Sequence, residues 1–151
     1  GFLLLAPSSI GMTWSFQSDR DSRSINSIID TISKQWNVNR EKILLTGFSD
    51  GAIYSLTYGL QQSSPFTALA PISGVLHPID LSYARDRKIY LVHGELDWMF
   101  PVDHAHRTYS VLKKAGANVF FQEVKGLSHT YPREVNDQIL IWFDSSLSLS
   151  V

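Results

Sequence analysis

Short, continuous apolar runs recur along this chain, and longer segments with helical periodicity lie between or after them. The runs occupy residues 2–6, 42–46, 67–72, 89–93 and 119–123. Most are apolar at consecutive positions rather than at alternate ones, which is typical of parallel strands buried on both faces. The succession of predicted strands and helices along the chain therefore predicts an α/β fold. In such a fold, helices cover both faces of a mostly parallel sheet whose strands are joined by right-handed crossovers.

Four segments have the pattern of helices. In the first, five apolar side chains fall on one stripe, namely Ile25, Ile28, Ile29, Ile32 and Trp36. Ser22 or Ser24 is expected to cap its start. The other helices are expected at about residues 49–62, at about 102–114 before a left-handed Gly116, and from near Pro132 onward. Residues 73–87 are predicted to form a loop with at most one helical turn, and the tail 145–151 is expected to fray.

The composition excludes several classes of function. The length of 151 residues argues for a single domain over residues 1–151. A net charge of −1 gives the molecule no general attraction to nucleic acid. No apolar run approaches the roughly 20 residues that a membrane-spanning helix needs. The chain has no cysteine, which excludes disulfides, thiolate metal sites and a cysteine nucleophile but leaves the cellular compartment and the oligomeric state open.

The motif G-x-S-x-G stands between a predicted strand and a predicted helix, at Gly47-Phe48-Ser49-Asp50-Gly51. In such a turn the serine adopts a strained backbone conformation, and we expect glycine to be required at both flanking positions to avoid a collision. The turn would place the Ser49 hydroxyl above the carboxyl edge of the sheet, beside the first amides of the helix. This context favours a nucleophilic serine over an inert strand–helix turn.

A serine nucleophile needs a base and an acid that orients the base. Asp97 follows the run at 89–93 by four residues, and His129 lies on a loop after the run at 119–123. Parallel strands present their carboxyl ends at one edge, so both side chains are expected beside Ser49. Glu95, in the same loop as Asp97, is the best alternative acid.

The remaining candidates have simpler explanations. His93 is expected to be a structural histidine within its strand, and Asp103 is expected to cap the third helix. His104 and His106 do not share a helix face, which argues against a metal pair, and His77 is expected at the surface. The sequence contains no H-E-x-x-H, no acidic calcium loop and no glycine-rich phosphate-binding motif. We therefore expect neither a metal nor a cofactor.

Two motifs resemble those of the phospholipase/carboxylesterase family of α/β-hydrolases. Residues 46–52 read T-G-F-S-D-G-A, similar to the G-F-S-x-G of that family, and residues 93–101 read H-G-E-L-D-W-M-F-P, similar to its H-G-x-x-D-x-x-x-P. The segments L-L-A-P at 4–7 and G-M-T-W at 11–14 are similar to the strand and loop before its first helix.

The resemblance implies hydrolysis of a small-molecule carboxylic ester or thioester. Ser49 would form the acyl-enzyme, His129 would move the proton, and Asp97 would orient His129. The backbone amide of Asp50 would supply half of the oxyanion hole, and its side chain is expected to have only a surface role. Three large apolar residues are candidates for the substrate pocket, namely Trp14, Trp98 and Met99.

One departure from the family concerns its first strands and its H-G-x-G loop, which provides a second oxyanion donor. These features are not found in the 151 residues, so we expect them upstream and expect low activity and limited stability from this chain alone. Two alternatives remain open: a prolyl-oligopeptidase-like peptidase and a non-catalytic hydrolase-fold binding protein. Ala52 argues against the first, because those enzymes usually have a second glycine at that position. A dienelactone hydrolase would usually have cysteine at position 49.

Overall fold

The computed structural model describes residues 1–147. Four strands form one sheet: β1 (Leu44–Phe48), β2 (Ala68–Ile72), β3 (Lys88–Gly94) and β4 (Asn118–Val124). They lie in the order β1-β2-β3-β4, and every neighbouring pair is parallel. The predicted parallel sheet is therefore confirmed, and its four strands correspond to the last four of the five apolar runs.

Four helices accompany these strands: α1 (Arg20–Gln35), α2 (Asp50–Gly59), α3 (Val102–Lys114) and α4 (Val135–Phe143). A helix precedes or follows every strand, but a loop without a helix joins β2 to β3. Helix α3 has the predicted bounds and ends before Gly116, whose φ of +86° confirms the left-handed position. The predicted serine cap of α1 is wrong. Ser22 lies inside the helix, and its hydroxyl donates a hydrogen bond to the carbonyl of Asp19.

Alternate residues of the central strands pack into two different cores, which explains their continuous apolar sequences. Leu69, Ile89 and Leu91 join a core with α1, α2 and α3. Their neighbours on the opposite face, including Ile72 and Val92, pack against α4. Both faces of the sheet are thus covered by helices, as predicted. A central strand covered on both faces has no side-chain position that faces water, so polar residues do not alternate with apolar ones.

The prediction of a strand at residues 2–6 is wrong. The segment has no strand geometry, and Leu4 is 80% exposed. An apolar run becomes a strand only with a hydrogen-bonded neighbour, and among residues 1–147 β1 pairs only with β2. The segment instead lines an open, mainly apolar groove of about 1000 Å³ together with α1 and β1.

The sequence also makes predictions for the loop at residues 73–87, the start of α4 and the C-terminal tail. Residues 73–87 form a loop with short turns and no helix, as expected. Helix α4 begins three residues after Pro132, whose carbonyl accepts the N–H of Val135. The end of the predicted fraying tail, residues 148–151, lies outside the described part. No helix within residues 1–147 has the length and apolar character needed to cross a membrane.

Candidate active site

Ser49 occupies the sharp turn between β1 and α2. Its φ of 57° and ψ of −116° are unusual for a residue with a side chain, and such backbone strain costs about 1–3 kcal/mol. The turn is held by its own backbone: Ser49 donates its N–H to Ile72 of β2 at 3.0 Å, and its carbonyl accepts the N–H groups of Ala52 and Ile53. The strain is therefore supported by the neighbouring strand and by the first turn of α2.

The two glycines of the motif are not equivalent. A Cβ atom on Gly47 would collide with the backbone carbonyl of Gly51, so glycine is required there as predicted. A Cβ atom on Gly51 would meet only the indole nitrogen of Trp14 at 3.7 Å, an ordinary van der Waals contact. The expectation that both positions require glycine is thus wrong for Gly51.

Asp97 lies in the turn that follows β3 and is 4% exposed. Its Oδ1 accepts the backbone N–H groups of Met99 at 3.0 Å and Phe100 at 2.8 Å, and its Oδ2 lies 2.8 Å from Nδ1 of His129. Burial raises the pKa of the Asp97 carboxyl. The hydrogen bond from the Phe100 N–H, the hydrogen bond from His129 and the charge of His129 together lower this pKa by more. The pKa therefore lies below its ordinary value, and Asp97 is ionised near neutral pH.

His129 lies on the loop after β4 and joins Asp97 to Ser49. Its Nε2 lies 3.0 Å from the Ser49 hydroxyl oxygen. An ionised carboxylate can only accept, so Nδ1 of His129 carries the proton and Nε2 of the neutral ring is free to accept from Ser49. The ring centroids of Phe48, Phe100 and Trp98 lie 5.0, 5.5 and 6.2 Å from that of the imidazole, and the His129 side chain is 7% exposed.

His93 is a fully buried histidine at the end of β3. Burial lowers the pKa of its imidazole, so the ring is neutral near pH 7. Its Nε2 donates to the carbonyl of Phe100 at 2.7 Å and lies 3.4 Å from Oδ2 of Asp97. His93 therefore holds the turn that presents two amides to Asp97, in keeping with the structural role expected for it.

The other sequence candidates lie elsewhere. Glu95 accepts the N–H of Gly126 at 2.9 Å instead of approaching His129 through its carboxylate. Asp103 lies in the first turn of α3 without a capping hydrogen bond, so its predicted cap is wrong. His77 is exposed, as expected, and packs against Phe16. Within residues 1–147, no cluster of three or more side chains is arranged to hold a metal ion.

Sequence reasoning missed the polar contacts that hold the loop at residues 10–15. The buried carboxylate of Asp21 accepts the N–H groups of Ile10 at 2.8 Å and Ser15 at 2.7 Å. The Asp50 side chain, expected to have only a surface role, accepts the hydroxyl of Thr13. An acidic residue in the first turn of an amphipathic helix was the available signal for Asp21.

The three pocket candidates lie on different sides of Ser49. Trp98 and Met99 are 72% and 45% exposed beside the His129 loop. Trp14 is half-buried, stacks on Tyr54 of α2 at 4.8 Å, and lines the groove that also contacts Asp50. The structure thus places two candidates near His129 and the third near the start of α2.

The chain is similar to proteins named as esterases and thioesterases. The profile of the phospholipase/carboxylesterase family matches residues 12–141. Acyl-protein thioesterase 1 homolog 1 of Dictyostelium discoideum is 27% identical over 127 residues, covering 80% of this chain and 56% of that protein. A bifunctional acetylxylan esterase/xylanase of Neocallimastix patriciarum is 33% identical over 100 residues, covering 64% of this chain and 15% of that protein.

Solved structures share the fold. Esterase PE8 superposes with a TM-score of 0.69 at 24% identity, covering 83% of this chain and 60% of that one. Arabidopsis thaliana SOBER1 gives 0.66 at 23% identity, covering 82% and 61%. The chain thus spans less than two thirds of the length of each of these four proteins. The profile match shows that the chain belongs to the phospholipase/carboxylesterase family of α/β-hydrolases.

Proposed function

We propose that this chain carries the catalytic residues of a serine hydrolase that cleaves carboxylic esters or thioesters through an acyl-enzyme on Ser49. The observation that carries the proposal is the position of His129, whose two ring nitrogens lie 3.0 Å from the Ser49 hydroxyl oxygen and 2.8 Å from the Asp97 carboxylate. The strained turn at Ser49 adds support, because strain of this kind is concentrated at functional sites.

In the acylation step, Oγ of Ser49 attacks the carbonyl carbon of the substrate while Nε2 of His129 takes the hydroxyl proton. The protonated imidazole is stabilised by ionised Asp97, which stays ionised because its pKa is low. The tetrahedral intermediate collapses when the carbon–oxygen or carbon–sulfur bond breaks and His129 gives its proton to the leaving alcohol or thiol. Water then attacks the acyl-enzyme while His129 takes one of its protons. When the bond between the acyl carbon and Oγ breaks, His129 gives this proton to Ser49 and the acid leaves.

The negative charge on the carbonyl oxygen needs hydrogen-bond donors. Asp50 is the first residue of α2, and first-turn amides have no acceptor within their own helix. Its N–H is therefore a suitable oxyanion donor, strengthened by the partial positive charge at the start of the helix. A second donor has to come from another group, and loss of one donor typically lowers the rate by roughly 10² to 10³.

The substrate class is proposed from the relatives and from the surroundings of the site. The relatives are named for acetylxylan esterase and acyl-protein thioesterase activities, so an acyl ester or thioester is the substrate class we propose. Trp98 and Met99 form an exposed apolar rim beside His129, and Trp14 forms a wall near the start of α2. Both surfaces suit an apolar part of the substrate better than a charged one.

A fluorophosphonate probe tests the proposal, because it reacts only with activated serines. We expect a single adduct by intact mass on the unaltered chain, and none on Ser49→Ala. Ser110→Ala is the matched control, since this serine lies on the exposed side of α3 and should leave labelling unchanged. No adduct on a folded chain would contradict the proposal and favour a non-catalytic binding protein, and labelling that survives Ser49→Ala would assign the nucleophile elsewhere.

A further inference from the structure

A second carboxylate lies in the same turn as Asp97 and has no part in the proposed reaction. Glu95 follows the last residue of β3, and its side chain is exposed to solvent. Its Oε2 accepts the backbone N–H of Gly126 at 2.9 Å, across to the loop that carries His129. The sequence allows Glu95 as an alternative acid, but Asp97 holds the position against the imidazole.

The Asp97 loop and the His129 loop are joined at several points. The N–H of Glu95 donates to the carbonyl of Val124 at 3.0 Å, and the N–H of Leu96 donates to Leu127 at 2.9 Å. The backbones approach so closely that a Cβ atom on Gly94 would collide with the carbonyl of Leu127. The orientation of His129 thus depends on how its loop packs against the loop of Asp97.

The Glu95 side chain acts at the point where the His129 loop turns. Gly126 has a φ of +68°, a left-handed conformation that is common for glycine and lets the chain reverse direction after β4. Glu95 accepts the N–H of this residue, three positions before His129. Backbone hydrogen bonds from the Asp97 loop hold Val124 and Leu127 on either side of Gly126. The Glu95 carboxylate adds a side-chain hydrogen bond to Gly126 between them.

We infer that Glu95 is a positioning residue, which holds the Gly126 turn so that His129 keeps its distance from Ser49. The inference rests on the proposed function and adds a residue to it. The effect requires a hydrogen-bond acceptor at the end of the Glu95 side chain, and it does not require a negative charge. Glutamine has the same length and a carbonyl oxygen in the same place, whereas alanine has no acceptor, so the two substitutions separate a hydrogen bond from a charge effect.

The experiment compares the unaltered chain with Glu95→Ala and Glu95→Gln. For each protein, the fraction of active sites is titrated with a fluorophosphonate, and kcat and KM for p-nitrophenyl acetate are expressed per active site. We expect Glu95→Ala to lower kcat and the labelling rate about tenfold, the size of one lost hydrogen bond, with KM unchanged. Glu95→Gln should restore both. Because kcat is expressed per active site, unfolded protein does not affect it.

Hydrogen exchange over residues 124–130 provides a readout that does not depend on activity. The Gly126 amide should exchange faster in Glu95→Ala and at the original rate in Glu95→Gln. Unchanged kcat or unchanged exchange in the alanine variant would overturn the inference, and a glutamine variant as impaired as alanine would show that charge acts instead. If the unaltered chain does not label at Ser49, the proposed function fails and the catalytic role of Glu95 fails with it. The exchange data then decide only whether Glu95 holds the loop.

Discussion

Nε2 of His129 lies 3.0 Å from Oγ of Ser49, although 80 positions separate the two residues in the sequence. The contact forms because Ser49 follows β1 and His129 follows β4, while Asp97 follows β3 between them. In a parallel sheet these strand ends lie at one edge, where open α/β sheets bind their ligands. Three loops of modest length can therefore meet without any of them crossing the sheet.

Replacing Asp97 by asparagine tests whether His129 needs a carboxylate acceptor at Nδ1. The backbone N–H groups of Met99 and Phe100 require an acceptor, so they retain the asparagine oxygen and the NH₂ group faces Nδ1 of His129. This group cannot accept from Nδ1, so the imidazole would adopt the tautomer that has a proton on Nε2 and cannot accept from Ser49. We expect kcat/KM for p-nitrophenyl acetate to fall by about 10⁴-fold. A loss below about tenfold, measured on protein with an unchanged circular dichroism spectrum, would show that Asp97 is not the orienting acid.

The low pKa of Asp97 predicts a pH dependence of stability. A carboxyl whose pKa is lower in the folded state stabilises the protein above its unfolded pKa of about 3.9, and this contribution is lost as the pH falls through the folded value. Urea denaturation of the unaltered chain and of Asp97→Asn should therefore give a stability difference that is constant above about pH 5 and declines below about pH 4. A difference that grows on acidification would contradict the sign.

The two glycines beside Ser49 form a matched pair for mutation. Gly47→Ala would force a Cβ atom into the carbonyl of Gly51, so we expect a loss of roughly 1–3 kcal/mol in the free energy of unfolding and a loss of labelling at Ser49. Gly51→Ala meets only an ordinary contact with Trp14 and should fold with little change. Equal stability losses in the two variants, measured by urea denaturation, would be evidence against the geometry of this turn.

Asp21 is expected to stabilise the loop at residues 10–15. Asp21→Ala leaves the N–H groups of Ile10 and Ser15 without their acceptor, which should lower the free energy of unfolding by about 2–3 kcal/mol. Asp19→Ala is the control, because the Asp19 side chain forms an exposed ion pair with Arg23, worth at most about 1 kcal/mol, and makes no capping hydrogen bond to α1. Urea denaturation measures both, and a larger loss in the control would refute the assignment.

Most of the fold could be predicted from hydrophobic pattern alone. The runs that became β2 and β3 are buried on both faces, and those that became β1 and β4 contribute side chains to both cores, so all four have continuous apolar sequences. The run at residues 2–6 has the same composition and is not a strand, because pairing depends on a neighbour and composition does not reveal one. The single-domain assignment stays a prediction.

The candidate site was predictable to the extent that its chemistry is local. The five-residue motif around Ser49 predicts the strained turn, and the loops of Asp97 and His129 follow strands that the sequence predicts. The contacts of Asp21 with Ile10 and of Glu95 with Gly126 left no comparable pattern. Each joins a side chain to a distant backbone amide, and any residue except proline offers such an amide, so the partner has no sequence signature.

The sequence by itself determined the parallel α/β arrangement and indicated Ser49, His129 and an acid in the loop after β3, because periodicity and short motifs are properties of adjacent positions. Only the tertiary structure decided that Asp97 rather than Glu95 contacts His129, that Gly51 has room for a side chain, and that the two loops are joined at Gly94. These outcomes depend on the distances between segments far apart in the chain, and close packing sets those distances.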